Sequence, residues 1–211
     1  MKSTAVICAF NEEKTIRDVL FSVSDFKIFD EIIVINDGST DKTKVIISDC
    51  KEELDIIDFH LPENEGKGFA MAIGIEQARN ELIVFCDADL SNLRKEHLFQ
   101  LTRPIITNEA EMVLGQPTDT LINYHINPFK PFTGQRAVLR LDILHIVEDM
   151  KESKFGVETL INLYYESQNK KVKHIKLLGL KHPTKFNKTN QSRAVREYMF
   201  EGIQIALIVF N

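Results

Sequence analysis

Residues 81–90 read Glu-Leu-Ile-Val-Phe-Cys-Asp-Ala-Asp-Leu (ELIVFCDADL), an apolar run of strand length that breaks into two carboxylates, Asp87 and Asp89, with one small residue, Ala88, between them. A buried strand of this kind delivers its C-terminal residues into the crevice where open α/β sheets bind ligands. Asp-x-Asp at that point offers hard oxygen donors, the type that Mg²⁺ or Mn²⁺ uses to hold phosphate. Taken alone, the stretch also fits two acidic residues closing a strand at a solvated turn. The neighbouring segments decide between the two.

Outward from this stretch, the first half alternates short aliphatic runs with segments long enough for helices, the pattern of a parallel sheet. Thr4 to Ala9 reads as the first strand, and Glu12 to Val23 as a helix with Ile16, Val19, Leu20 and Val23 on one face. Glu31 to Ile35 is the second strand, followed by a turn-rich Asn36–Asp41 that can cap a helix through Cys50. Asp55 to Leu61 is expected as the third strand. Glu65-Gly-Lys-Gly68 then opens a helix through Ala78, whose small residues Ala70, Gly74 and Ala78 permit close packing on a sheet. Leu82 to Cys86 is the fourth strand.

The second half is less regular. Glu111 to Gly115 is expected as a strand and Gln116 to Phe132, with three of the six prolines, as a lid-like loop. Helices are expected over Arg140 to Val147 and Gly156 to Gln168, and a strand over Val172 to Leu178. A last helix from about Ser192 carries Val195, Met199, Ile203, Leu207 and Phe210 as an apolar stripe. Its apolar end is open to three readings: core, dimer interface or membrane surface. The whole chain of 211 residues is expected to be one domain, with a nucleotide-binding half (1–90) and an acceptor-binding half (91–211).

Composition narrows the classes. A chain that is 44% hydrophobic and 27% charged is globular, and a net charge of -5 with pI near 5.7 disfavours nucleic acid as the main partner while leaving local basic patches open. Cys8, Cys50 and Cys86 lack metal-type spacing and read as reduced thiols. No signal-peptide pattern and no apolar run of membrane-spanning length occurs, so a cytoplasmic location is expected.

Three loops fall at the C-terminal ends of strands one, two and four: Phe10-Asn-Glu-Glu13, Asn36-Asp-Gly-Ser39 and Asp87-Ala-Asp89. In a parallel sheet they share one edge. Together they supply acceptors for base and ribose groups and oxygen donors for a metal on phosphates. The ordered set CAFNEE (Cys8–Glu13), VINDGSTD (Val34–Asp41), NEGKG (Asn64–Gly68) and DAD (Asp87–Asp89) resembles the family-2 glycosyltransferases with their GT-A nucleotide-sugar-binding fold. The later TGQRA (Thr133–Ala137), FGVETL (Phe155–Leu160) and His182 resemble the branch containing glucosyl-3-phosphoglycerate synthase and mannosylglycerate synthase.

The resemblance implies an α/β GT-A fold and a metal-dependent transfer of a hexose from a nucleoside-diphosphate sugar, UDP before GDP, to a small anionic or lipid-linked hydroxyl acceptor. It implies that Ala9, Phe10 and Glu12 frame the nucleoside and that Asp37 and Ser39 read the base. Lys67 approaches the nucleotide, and Asp87 with Ala88 meets the ribose or metal. Asp89 and His182 hold Mg²⁺ or Mn²⁺. Thr133, Gly134, Gln135 and Arg136 grip the acceptor, and Glu158 faces it, as general base in an inverting enzyme or as an orienting carboxylate in a retaining one. Asn36 stands where many relatives carry an acid. The rival reading, a sugar-1-phosphate nucleotidyltransferase, expects a glycine-rich loop after strand one, and Cys8–Glu13 has no glycine. A catalytically inactive sugar-nucleotide-binding protein would have lost the metal carboxylates, and Asp87 and Asp89 are intact.

Overall fold

The computed structural model describes residues 1–119, 133–153 and 156–181. Most of the expected lid, Phe155, His182 and the expected last helix lie outside them. Seven strands, β1 (Ser3–Ala9), β2 (Glu31–Asn36), β3 (Ile57–His60), β4 (Leu82–Asp87), β5 (Met112–Asp119), β6 (Arg136–Leu139) and β7 (Val172–Lys181), form one sheet in the order β3-β2-β1-β4-β6-β5-β7. All neighbours pair in parallel except β6, which is antiparallel to both β4 and β5.

Side chains alternate across this sheet with a period of two. Ala5, Ile7, Ala9, Ile32, Val34, Leu82, Val84 and Cys86 pack into a layer with α1 (Ile16–Asp25), α2 (Thr43–Lys51) and α4 (Lys95–Ile106). Val6, Ile33, Ile35, Ile83 and Phe85 pack on the opposite side with α3 (Lys67–Gln77), α6 (Val147–Ser153) and α7 (Val157–Ser167). Because both faces are covered, the strands read as unbroken aliphatic runs. The chain passes from β1 to β2 and β3 on one side and returns to β4 on the other. Strand order therefore reverses at the β1/β4 boundary, where Cys8 lies in register with Asp87.

Several elements depart from the sequence expectation. β5 runs on to Asp119 through Pro117, so the lid-like loop does not begin at Gln116. The β6 register ends at Leu114, and among the described strands β7 alone continues beside Pro117, so Pro117 costs no hydrogen bond to β6. The helix expected over Arg140–Val147 is broken into α5 (Arg140–Ile143), a 3₁₀ turn (Leu144–Ile146) and α6. α4 was not expected at all. Its buried His97, Leu98, Leu101, Thr102 and Ile105 form a helical stripe, and Pro104 is tolerated in the last turn, where its carbonyl accepts from the N–H groups of Glu109 and Ala110.

The small-residue face of α3 does bring the helix close to the sheet. A Cβ built on Gly74 would lie 2.3 Å from Val6 Cγ1. Helix propensity favours Gly74→Ala by about 1 kcal/mol. The overlap outweighs it, and a net loss of about 1 kcal/mol is expected in urea unfolding. In a Val6→Ala background, which removes the touching methyl, the same substitution should become neutral or stabilising. An equal loss in both backgrounds would show that the close approach does not set the cost.

Candidate active site

The β1 and β2 loops are laced together by their own polar residues. Asn11, at φ 56°, donates its N–H to Ser39 Oγ (2.9 Å) and accepts from Thr40 N–H at Oδ1 (2.8 Å). The N–H groups of Glu12 and Glu13 are taken by Thr43 Oγ1 (2.8 Å) and Asp41 Oδ2 (3.2 Å). These bonds fix the turn that delays α1 to Ile16. Ala9 is buried, whereas Phe10 stands 40% exposed at the rim with its ring available to a planar ligand.

Asp37 turns inward. Its Oδ1 accepts from Glu65 N–H (2.8 Å), and its Oδ2 accepts from Gly66 N–H and Asn64 Nδ2, both at 3.0 Å. Burial raises its pKa, opposed by the Glu65 and Gly66 donors. Gly38 has φ +62°, and a Cβ there would come within 2.1 Å of the Glu63 carbonyl carbon, so the β2 loop needs glycine to meet the 63–66 loop. The amide of Asn36 donates to His60 Nδ1 (3.2 Å) and accepts from Ser39 N–H (3.3 Å). That network assigns the proton to His60 Nε2, which donates to Asp58 (2.9 Å), itself paired with Lys51. A carboxylate in place of Asn36 would lack the donor that meets His60.

At the centre lies a charge cluster. Lys67, the first residue of α3, places its ammonium 2.9 Å from Asp87 Oδ1 and 2.7 Å from Glu158 Oε1. Burial disfavours this ammonium, but Asp87 and Glu158 outweigh it, and the pKa is raised. Gln135 Nε2 donates to the other oxygen of Asp87 at 2.7 Å. A Cβ on Gly134 would fall 2.3 and 2.5 Å from the two Asp87 oxygens, so only glycine lets this loop close over the carboxylate. Glu158 is 8% exposed in the first turn of α7. The thiol of Cys8, beside the cluster, is pushed up by burial, with Lys67 opposing and Asp37, Asp87 and Glu158 adding to the shift.

Gln135 and Arg136 are fully buried among the described residues. Arg136 donates to the Thr133 carbonyl (2.8 Å) and, at 3.5 Å, to the Glu158 carbonyl and Asn162 Oδ1. It thereby ties β6 to α7. Burial lowers its pKa, against the pull of Glu158 and Asp87. Of the expected acceptor stretch, Thr133 is the half-buried residue, with its hydroxyl donating to the Gly115 carbonyl (2.6 Å).

Ala88 and Asp89 follow β4, at 3% and 6% exposure. The loop after them is fastened to β7: Ser91 and Lys181 exchange backbone hydrogen bonds (3.1 and 3.0 Å), and Arg94 and His97 both donate to the Leu178 carbonyl. Neither Arg94 nor His97 was a candidate from the sequence. A histidine three residues after an arginine at a helix start is the signal: His97 Nδ1 accepts the Arg94 N–H in a capping box. His182 lies outside the described residues, and among those residues no group of three His, Cys, Asp or Glu is placed to hold a metal. The structure thus brings together Lys67, Asp87, Gln135, Arg136 and Glu158, and separately Asp37 and Ser39 with the β1 and 63–66 loops.

Known proteins share this architecture. Over 87 residues the chain is 42% identical to the poly-β-1,6-N-acetyl-D-glucosamine synthase of Staphylococcus aureus (strain COL), which is 41% of this chain and 21% of that protein. The Staphylococcus epidermidis synthase of the same name is 41% identical over 85 residues, again 21% of its length. The chain therefore spans about a fifth of the length of these curated relatives. Among solved structures, the Mycobacterium tuberculosis glucosyl-3-phosphoglycerate synthase crystallised with Mn²⁺, UDP and glucosyl-3-phosphoglycerate superposes with a TM-score of 0.75 at 20% identity, over 99% of this chain and 78% of that one. S. aureus TarS (residues 1–349) gives 0.65 at 20% identity, over 83% and 58%. These likenesses establish the GT-A fold. The family model described as Glycosyl transferase family 2 matches residues 4–151, most of the chain. On that match, and with the loop motifs converging at the β1/β4 edge, the chain belongs to glycosyl transferase family 2.

Proposed function

We propose that the chain transfers a hexose from a nucleoside-diphosphate sugar, a UDP-sugar before a GDP-sugar, to a hydroxyl acceptor. The observation that carries this reading is the Asp87–Lys67–Glu158 cluster at the strand-order reversal, where one cation joins a carboxylate of the nucleotide-binding half to one of the acceptor-binding half. The M. tuberculosis synthase, of the same fold, was crystallised with UDP and Mn²⁺ and also with UDP and Mg²⁺.

The donor set fits such an ion. Mg²⁺ and Mn²⁺ are commonly held by one or two carboxylates plus substrate phosphates and water, so a triad of protein ligands is not required. Asp89 would hold it, with His182 as the further protein ligand, and when bound the ion would neutralise charge on the departing diphosphate. The chain's own groups do the rest. Phe10 and the Ala9–Glu12 turn frame the nucleoside, and Ser39, on the rim of that turn, meets the base. Asp37 shapes the 64–66 loop that presents Lys67. Gln135, Arg136 and the close approach of Gly134 hold Asp87 and α7, while Thr133 and Gly134 line the acceptor side. The acceptor oxygen bonds to the anomeric carbon as the bond from that carbon to the diphosphate breaks, and the hydroxyl proton must leave. Glu158 would accept it or orient the acceptor, once the acceptor displaces part of its contact with Lys67.

Two variants test this assignment. Asp89→Ala is expected to abolish Mn²⁺-dependent binding of UDP in calorimetry while leaving the thermal transition nearly unchanged. Retention of metal-dependent binding would remove Asp89 from the metal site. Glu158→Gln should lower turnover by about 10² or more with UDP affinity preserved. Unchanged turnover with the same UDP-sugar would take Glu158 out of the reaction. A thermal-shift panel of UDP-, GDP-, CMP- and TDP-sugars with and without Mn²⁺ identifies the nucleotide, since a ligand of the folded state raises its apparent stability.

A further inference from the structure

His60 ends β3, the strand beside β2. Its register partner is Asn36, the last residue of β2, and Asp58 lies opposite Val34 in the same phase, on the side of the sheet that α2 covers. Asp58 meets His60 Nε2 at 2.9 Å and pairs with Lys51 at the end of α2. Burial alone would raise the pKa of Asp58, but Lys51 and His60 outweigh it and the pKa is lowered. Asp58 is therefore a carboxylate, and the proton in its contact with His60 sits on Nε2. In a neutral ring Nδ1 is then the acceptor, and the Asn36 amide donates to it (3.2 Å). That orientation leaves Asn36 Oδ1 for the Ser39 N–H (3.3 Å), while Ser39 Oγ takes the Asn11 N–H (2.9 Å). One tautomer thus fixes the direction of every bond from Lys51 to the β1 loop. The charged groups at the ring are Asp58 from its own strand and, behind Asp58, Lys51 from α2; β2 presents the uncharged Asn36.

A second proton on the imidazole reverses this order, because both nitrogens of the charged ring are donors. The Nδ1–H then needs the oxygen of Asn36, and the amide must turn over, which aims its NH₂ at the Ser39 N–H. Two donors meet where a hydrogen bond stood, and Asn36, at 2% exposure, has no access to water that could separate them. Ser39 is released from the contact that holds it beside Asn11. A histidine that only closes a strand would be satisfied by Asp58. The second bond, to a buried amide, ties the charge of His60 to the β1 and β2 loops.

We propose that His60 is a positioning residue for nucleoside binding: its neutral ring orients the Asn36 amide so that Ser39 and Asn11 shape the rim, and its protonation releases them. The coupling between His60 and Ser39 stands by itself. Its effect on ligand affinity rests on the nucleotide-sugar reading above.

The test follows the His60 ring and the Ser39 and Asn11 amides by NMR in the ligand-free full chain between about pH 8 and pH 5, the range in which histidine changes charge. Both amides are expected to shift with the midpoint of His60. Uridine, which has no titrating group in that range and needs no metal, should bind about fivefold more weakly at the acid end, the worth of one hydrogen bond. His60→Gln keeps an acceptor for Asn36 and a donor for Asp58 without a titrating ring, so it should hold the Ser39 amide in place and bind uridine equally across the range. Asn36→Asp should invert the profile, since its carboxylate repels the bare Nδ1 of neutral His60 and accepts from the charged ring. Amides that stay still while His60 titrates, the same acid loss in His60→Gln as in the unsubstituted chain, or an uninverted profile in Asn36→Asp would each overturn the proposal. Failure of both uridine and guanosine to bind at any pH, with the amides still following His60, would sink the nucleotide-sugar reading and the role in binding with it, while the coupling stands.

Discussion

The ammonium of Lys67 between Asp87 and Glu158 is the contact on which the arrangement of the site depends. Two carboxylates held in a half-buried space repel each other, and each loses solvation that water would supply. One shared cation offsets both. It also determines which parts of the fold must stay together, because Asp87 ends β4, Glu158 begins α7, and Lys67 begins α3. Removal of a partner from such a cluster leaves an uncompensated buried charge, which costs more than the pair contributes.

The position of Lys67 is itself determined further back in the chain. Asp37 receives the Glu65 and Gly66 N–H groups, Gly38 allows the β2 loop to meet the 63–66 loop, and Gly66 at φ 100° turns the chain into α3. A carboxylate that accepts three donors is committed to the frame. Asp37 thereby sets the position of Lys67. Gln135 and Arg136 follow the same logic at the start of β6: one holds Asp87, the other holds the start of α7.

The fold was legible where burial on both faces writes a simple pattern. β1, β2 and β4 are covered by helices on either side, so their aliphatic runs announce strands, and turn residues at their ends announce the shared edge. β6 was not legible, because four residues, RAVL, are too few to show a period and the pairing partners come from distant β4 and β5. α4 was hidden by Pro104, which cannot donate to the Gln100 carbonyl and yet is accommodated two residues before the helix ends. In the site, the sequence identified residue types but not their direction. Asp37, Gln135 and Arg136 are candidate ligand-binding residues whose intramolecular partners, the 64–66 loop, Asp87 and the Thr133 carbonyl, come from distant or unpatterned positions that no sequence period announces.

The Asp-Ala-Asp segment spans the end of β4 and the turn that follows it. Ala88 and Leu90 pack into the α1/α4 layer, whereas Ile83 and Phe85, in the phase of Asp87, face the α3/α7 layer. Asp87 ends the strand in that phase, and Ala88 and Asp89 form the turn that follows, with Ala88 and Leu90 as apolar anchors on either side of Asp89. A small apolar residue between the acids is therefore a packing requirement, and a polar or bulky one would pull the loop out of the layer. The two acids still differ in office. Asp87 is held by Lys67 and Gln135 inside the cluster, while Asp89 lies on the loop that the Ser91–Lys181 bridge and the Arg94–His97 clamp fix to β7. One carboxylate keeps the two halves of the site in register, which leaves the other as the better candidate to exchange its contacts for a metal ion.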